Sequence, residues 1–156
     1  MIKFMKFRWA ENEALLRKRF ENMNDDELDR LTYKNLVEYI CEDIINTYDD
    51  SAKYITGPTV ITSRITEVDD GDYIGTLLFT IPFDVCQPRP DEYFMTYVEY
   101  GSCSVCDTLQ GIYYTEHEEQ INDYMKLCRD ISSNFIVPYN FGWRENELFK
   151  EATVND

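Results

Sequence analysis

Histidine occurs once in these 156 residues, glycine six times, and basic side chains 15 times against 30 acidic ones. With one histidine, any Ser-His-Asp or Cys-His nucleophile would have to pass through His117. Its neighbours Glu116, Glu118 and Glu119 mark a solvated first helical turn instead. There is no Gly-rich phosphate loop, no Ser nucleophile elbow and no His-Glu-x-x-His helix. The longest apolar stretches, such as Tyr73–Phe83, fall well short of the ~18 residues that cross a bilayer, and no apolar core follows the N-terminal charges. That predicts a soluble, unexported, cytoplasmic chain without a membrane partner. Five cysteines with only one Cys-x-x-Cys spacing fit reduced cytosolic thiols better than a disulfide framework.

Acid and aromatic side chains are plentiful. Residues 1–19 hold six basic and two acidic side chains, a net +4, so the other 137 hold nine against 28, a net −19. Such a surface repels nucleic acid and attracts the proteins that bind it. Twelve Tyr and nine Phe among 44% apolar residues are too many for a disordered acidic tail. A chain of this length buries roughly 68–70% of its unfolded surface, which predicts a single acidic domain over residues 1–156.

Periodicity predicts the elements. Met1–Trp9 is ambiguous between an edge strand and a helix lead-in. Ala14, Leu15 or Leu16, Arg19, Phe20 and Met23 recur at helical spacing over Ala10–Met23, with Glu11 and Glu13 near the positive end of the dipole. Asn24 and Glu27 form a capping box for a helical turn over Asp25–Leu31. From Thr32 to about Asp49–Asp50, Tyr33, Leu36, Val37, Ile40, Cys41, Ile44 and Tyr48 form one apolar stripe, and Lys34, Glu38, Glu42 and Asp43 face away. Gly57–Pro58 marks a turn before a strand over Thr59–Glu67, and Asp70–Gly71 is a hairpin signal. Tyr73, Leu77, Phe79, Ile81 and Phe83 alternate onto a core face of the returning strand. A third strand, Tyr93–Tyr100, carries aromatics on both faces. Helices follow over Val105–Tyr114, capped through Ser104 and Asp107, and Glu116–Ile131, capped through Thr115 and Glu118. Ile121, Tyr124, Met125, Cys128 and Ile131 form the second helix's stripe. An extended Phe135–Trp143 and a last helix near Arg144–Ala152 complete the chain. The order predicts an α+β fold: an antiparallel sheet of about three strands packed by N-terminal and C-terminal helices.

Cys103 and Cys106 are the chief chemical lead. In a redox reading, Cys103 is the attacking thiolate at a strand-to-helix junction and Cys106 resolves it. Against this stand the antiparallel setting and the negative charge of Asp107. A zinc reading adds two ligands from Cys86, Cys128 and His117, though no second pair completes the pattern. The plainest reading has Gly101 making a tight turn, Ser102 or Ser104 capping the helix and both cysteines packed beneath it. The segment Tyr100-Gly-Ser-Cys-Ser-Val-Cys-Asp-Thr-Leu-Gln110 resembles one found in uncharacterised small bacteriophage proteins, about a tenth of the chain. That resemblance implies a viral setting, with the protein made inside a bacterial host.

Asp69, Asp70 and Asp72 could hold a hard cation, but they lack the twelve-residue calcium-loop pattern, and a hairpin turn is the simpler account. Arg17-Lys18-Arg19 is a solvated helix face, a phosphate contact, or a contact for an acidic patch on a second copy. Tyr93, Tyr97, Tyr100, Tyr113, Tyr114 and Tyr139, where exposed, offer rigid contacts for a partner. The leading expectation is a non-enzymatic inhibitor that needs no cofactor. It would use Asp69, Asp70, Asp72, Glu116, Glu118 and Glu119 against a basic nucleic-acid-binding host protein, as in a phage counter-defence or anti-CRISPR role. The alternative is a small zinc or thiol module on Cys103 and Cys106.

Overall fold

A computed structural model describes residues 1–47, 58–89, 92–113 and 115–137 of the chain. The ambiguous N-terminal segment is helical, and α1 runs as one 19-residue helix over Lys3–Glu21. Phe4, Met5, Arg8, Trp9, Leu16 and Phe20 are buried along one face. Leu16 is the inward leucine, and Leu15 is exposed. Because the helix starts at Lys3, Glu11 and Glu13 lie in its middle, not at the dipole's positive end, and its first turn holds no acid. They accept from side chains instead: Glu13 from Trp9 Nε1 at 2.7 Å and Glu11 from Arg8 Nη1 at 3.3 Å.

The predicted capping box opens α2 (Asp25–Leu28), which ends at Leu28 rather than Leu31. Thr32 and Asn35 form a second capping box for α3 (Tyr33–Tyr39), which passes into a π-helical segment, Ile40–Ile45. The stripe from Tyr33 to Ile44 is buried, while Tyr48 and the expected stop at Asp49–Asp50 lie outside the described residues. Asp43 corrects the pattern. Expected to face solvent, it is 7% exposed, because the i→i+5 bonds of a π turn rotate the following side chains away from α-helical positions. Arg19 grips its carboxylate through Nε at 2.6 Å and Nη2 at 2.8 Å. Arg8 is buried too, donating from Nε to the Ile44 carbonyl at 3.2 Å and from Nη2 to that of Ile45 at 3.0 Å. These are carbonyls that a helix end leaves without partners of its own.

The fold is α+β, with an antiparallel sheet in the order β1 (Thr66–Asp69), β2 (Gly75–Pro82) and β3 (Tyr93–Tyr100). The strand expected over Thr59–Glu67 is mostly displaced: Val60 makes one bridge to Phe83, and Thr62–Arg64 is a 3₁₀ turn ahead of β1. Phe79 and Ile81 of β2 and Phe94, Thr96 and Val98 of β3 point into the core. Tyr73, expected on the same face, precedes β2 and is 79% exposed. After β3 come α4 (Thr108–Ile112) and α5 (His117–Ser133), both starting later than expected.

Aromatic rings join the layers. Phe94 stacks on Phe4 of α1 at 5.6 Å and meets Phe83 at 4.8 Å and Phe135 at 5.9 Å. Phe20 stacks on Tyr124 of α5 at 5.4 Å. The α5 stripe is buried, with Met125 partly covered. Ile136 bridges Met95 within the expected extended segment. Residues 138–143 of that segment, the helix near Arg144–Ala152, Gly57, Tyr114 and Tyr139 lie outside the described residues. Among the described residues, no helix is long and apolar enough to cross a membrane.

Candidate functional site

The first acidic group spans the end of β1, at Asp69, and the β1–β2 connection, which is longer than the two-residue turn that Asp70–Gly71 suggests. Its own acids shape it. Asp69 Oδ1 accepts from the Gly71 N–H at 3.0 Å and Asp70 Oδ1 from the Thr76 N–H at 2.6 Å. The Tyr100 hydroxyl, at the end of β3, lies 2.7 Å from Asp69 Oδ1 and 2.9 Å from the Gly71 carbonyl. A Cβ on Gly75 would come within 2.8 Å of Gly71 Cα and 2.9 Å of the Tyr100 hydroxyl, so this closure needs glycine. The phenol's hydrogen bond holds the Asp69 carboxyl below the ordinary carboxylate range, and the same bond pushes the Tyr100 phenol up to about 12. Asp69, Asp70 and Asp72 are exposed. Beside them Tyr73 and Ile74 are 79% and 72% exposed.

Tyr73 and Ile74 were not among the partner contacts nominated from sequence, where Tyr73 was assigned to the core. Their position directly after the Asp-Gly turn was the available signal. Among the tyrosines nominated, Tyr97 is exposed, Tyr93 is half-buried, Tyr100 closes the tip, and Tyr113 donates to the Leu31 carbonyl at 3.0 Å.

The second group, Glu116, Glu118 and Glu119, is exposed at the start of α5. Thr115 does not cap this helix; its hydroxyl donates to the Ile112 carbonyl at 2.9 Å. His117 Nδ1 meets Asp25, and Gln120 donates to Asp29 at 3.0 Å. The exposed acids of α2 therefore adjoin this group, an extension that sequence alone did not assign. Glu118 is paired with Arg17 at 2.8 Å, and Arg17 also meets Glu21 at 3.0 Å and Asn122 at 2.9 Å. With Arg19 held by Asp43 and Glu42, two of the three cations in Arg17-Lys18-Arg19 are already engaged by carboxylates. The hairpin tip and the α5 group stand on separate elements.

No protein-family model, curated protein or solved structure matches this chain.

Cys103 and Cys106 are both exposed, not packed beneath a helix. They occupy the turn before α4, whose N-cap is Asp107, with neither Ser102 nor Ser104 in that place. The Asp107 residue is 4% exposed, and its carboxylate accepts from Gln110 N–H at 3.0 Å, Gly101 N–H at 3.2 Å and the Tyr33 hydroxyl at 3.0 Å. The two sulfurs lie 2.9 Å apart, and the Cys103 N–H points to Cys106 Sγ at 3.2 Å. Hydrogen bonding from the Cys103 side chain, then from backbone and Ser102, lowers the Cys106 thiol pKa.

The zinc partners considered in sequence are dispersed. Cys128 is buried in α5, where desolvation pushes its thiol up; Cys86 is exposed in the β2–β3 connection, and His117 meets Asp25. Among the described residues, no group of three or more His, Cys, Asp or Glu is placed to hold a metal ion. Three cations, Arg17, Lys126 and Arg129, line a cleft of about 450 Å³ between α1 and α5 together with Glu13, Trp9 and Met125.

Proposed function

We propose that this protein is a non-enzymatic inhibitor that binds a basic, nucleic-acid-binding host protein and presents carboxylates where that target takes phosphates. The hairpin tip carries the reading. Three exposed carboxylates stand on a turn fixed by its own hydrogen bonds and by Tyr100, with two apolar side chains bared beside them. Carboxylates recognise Arg and Lys by charge-assisted hydrogen bonds, and an aromatic anchor adds contact that charge alone lacks. A turn already held in shape loses little conformational freedom on binding. Net charge −15 favours encounter with a basic groove. In the phage setting suggested by the Cys-x-x-Cys segment, the target would be a bacterial nuclease or immune effector.

A pull-down from host lysate with salt-stepped elution tests this. The wild-type chain should retain a basic protein that elutes as salt rises, because exposed charges are screened over about 8 Å at physiological ionic strength. Asp72→Lys with Tyr73→Ala should weaken retention most, and Glu116→Lys with Glu119→Lys should weaken it through the second group. Unchanged retention by both double variants at low salt refutes the assignment.

A further inference from the structure

Neither acidic group uses the two exposed thiols, yet the fold holds them as a pair. The N–H groups of Cys106 and Asp107 both reach the Cys103 carbonyl, at 3.0 and 2.8 Å, closing a tight turn. Such a turn keeps its first and fourth Cα atoms within about 7 Å, near the range a disulfide spans. On one side Gly101 leaves room for the turn, since a Cβ there would come within 2.7 Å of Cys106 Sγ. On the other, the buried Asp107 carboxylate ties the turn to Gly101, Gln110 and Tyr33. These donors engage the negative charge that, in sequence, argued against a thiolate here.

We propose that Cys103 and Cys106 form a dithiol site that exchanges with small disulfides of the glutathione class and closes to an intramolecular disulfide. Cys106 is the attacking sulfur, reversing the order expected from sequence, because the Cys103 N–H points at its Sγ at 3.2 Å. Cys106 gives its proton to solvent and attacks one sulfur of the small disulfide. That S–S bond breaks, and the departing thiolate takes up a proton. Cys103 then loses its proton and attacks Cys106 Sγ in the mixed disulfide, displacing the second thiolate. The protein gives up two protons and two electrons, and one small disulfide becomes two thiols. The site requires no metal, and its exchange is independent of the inhibitor reading.

The test treats the reduced full chain with glutathione disulfide, traps free thiols by alkylation and maps every cysteine by peptide mass. In the wild type, a Cys103–Cys106 bond should form first, with no glutathione remaining on either residue. Cys86, exposed but unpaired with another thiol, should take up glutathione more slowly, and buried Cys41 and Cys128 should stay reduced. Cys103→Ser should accumulate glutathione on Cys106. Cys106→Ser should take it up on Cys103 more slowly, for want of the turn's donors. Gly101→Ala should slow closure several-fold while keeping both thiols. A persistent glutathione adduct on the wild-type pair, or closure no faster than reaction at Cys86, overturns the proposal. Equal adduct rates in the two serine variants overturn the assignment of Cys106 as attacker.

Discussion

Replacing Asp107 by alanine should destabilise the fold by about 3 kcal/mol. The residue serves three donors at once: the Gln110 N–H as the N-cap of α4, the Gly101 N–H, and the Tyr33 hydroxyl. Loss of an N-cap costs about 1 kcal/mol. A buried donor left without an acceptor costs about 1–3 kcal/mol. Tyr33 is 6% exposed, so its hydroxyl cannot readily turn to water, although it still accepts from the Leu109 N–H at 3.3 Å. The separate losses do not add fully, because they belong to one network beside an exposed turn, which places the total near the lower end. Domains of this kind are stable by about 5–15 kcal/mol, so the variant should still fold. Its melting temperature should fall by about 6–12 °C, at about 2–4 °C per kcal/mol. Asp107→Asn keeps an acceptor oxygen and should lose about half as much. Urea unfolding with an unchanged denaturant slope is the decisive measurement. A loss below about 1 kcal/mol for Asp107→Ala would show that the carboxylate does not hold these donors in solution.

Arg8→Met should cost about 2–3 kcal/mol in the same assay, because a charged donor leaves the Ile44 and Ile45 carbonyls; a neutral result would remove Arg8 as the anchor of the π segment. Alkaline titration followed by tyrosinate absorbance should show a step near pH 12 that Tyr100→Phe abolishes. The Tyr100 contribution to tip stability is complete below the ordinary phenol value near ~10 and is lost as pH rises through about 12. Asp69, whose folded pKa is lowered, contributes above the ordinary carboxylate range and loses that contribution as pH falls through its folded value. A tip order, read by amide exchange at Gly71 and Thr76, that ignores both transitions would contradict the clamp. The chain should not shift DNA or RNA mobility at moderate salt, yet should compete with nucleic acid for its basic target. Tight direct binding abolished by Arg17→Ala and Arg19→Ala would replace the inhibitor reading with a local basic site.

Apolar spacing was enough to locate α3, α5 and the two long strands, and a capping box to locate α2, because those signals act over a few neighbouring residues; the cap expected for α5 at Thr115 does not form. What escaped depends on partners distant in sequence. Arg8 reads as one more surface cation until the carbonyls of Ile44 and Ile45 appear beside it. Asp43 lies on the polar side of an α-helical projection, and only the π turn brings it to Arg19. Both acidic groups were correctly expected to be exposed, since charge and turn chemistry decide that locally. Tyr73 was misplaced because strict alternation was extended past the point where β2 begins, at Gly75. Contact between the two thiols follows from the two-residue spacing and the local turn on the Cys103 carbonyl, whereas the bond from Tyr33 to Asp107 lies beyond any local pattern.

At the open edge of the sheet, all four residues of β1 are exposed, and its only strand neighbour among the described residues is β2. An uncovered edge is a template for a strand from another molecule. Glu67 and Asp69 hold such strands apart by repulsion, leaving Val68, 51% exposed, between them. Colloidal stability is thus set by proton concentration more than by shape. Near the isoelectric point of about 4.3, copies lose their mutual repulsion while the apolar edge remains. Because the Tyr100 hydroxyl bonds Asp69, one guard on that edge keeps its charge further into acid than an ordinary surface carboxylate does.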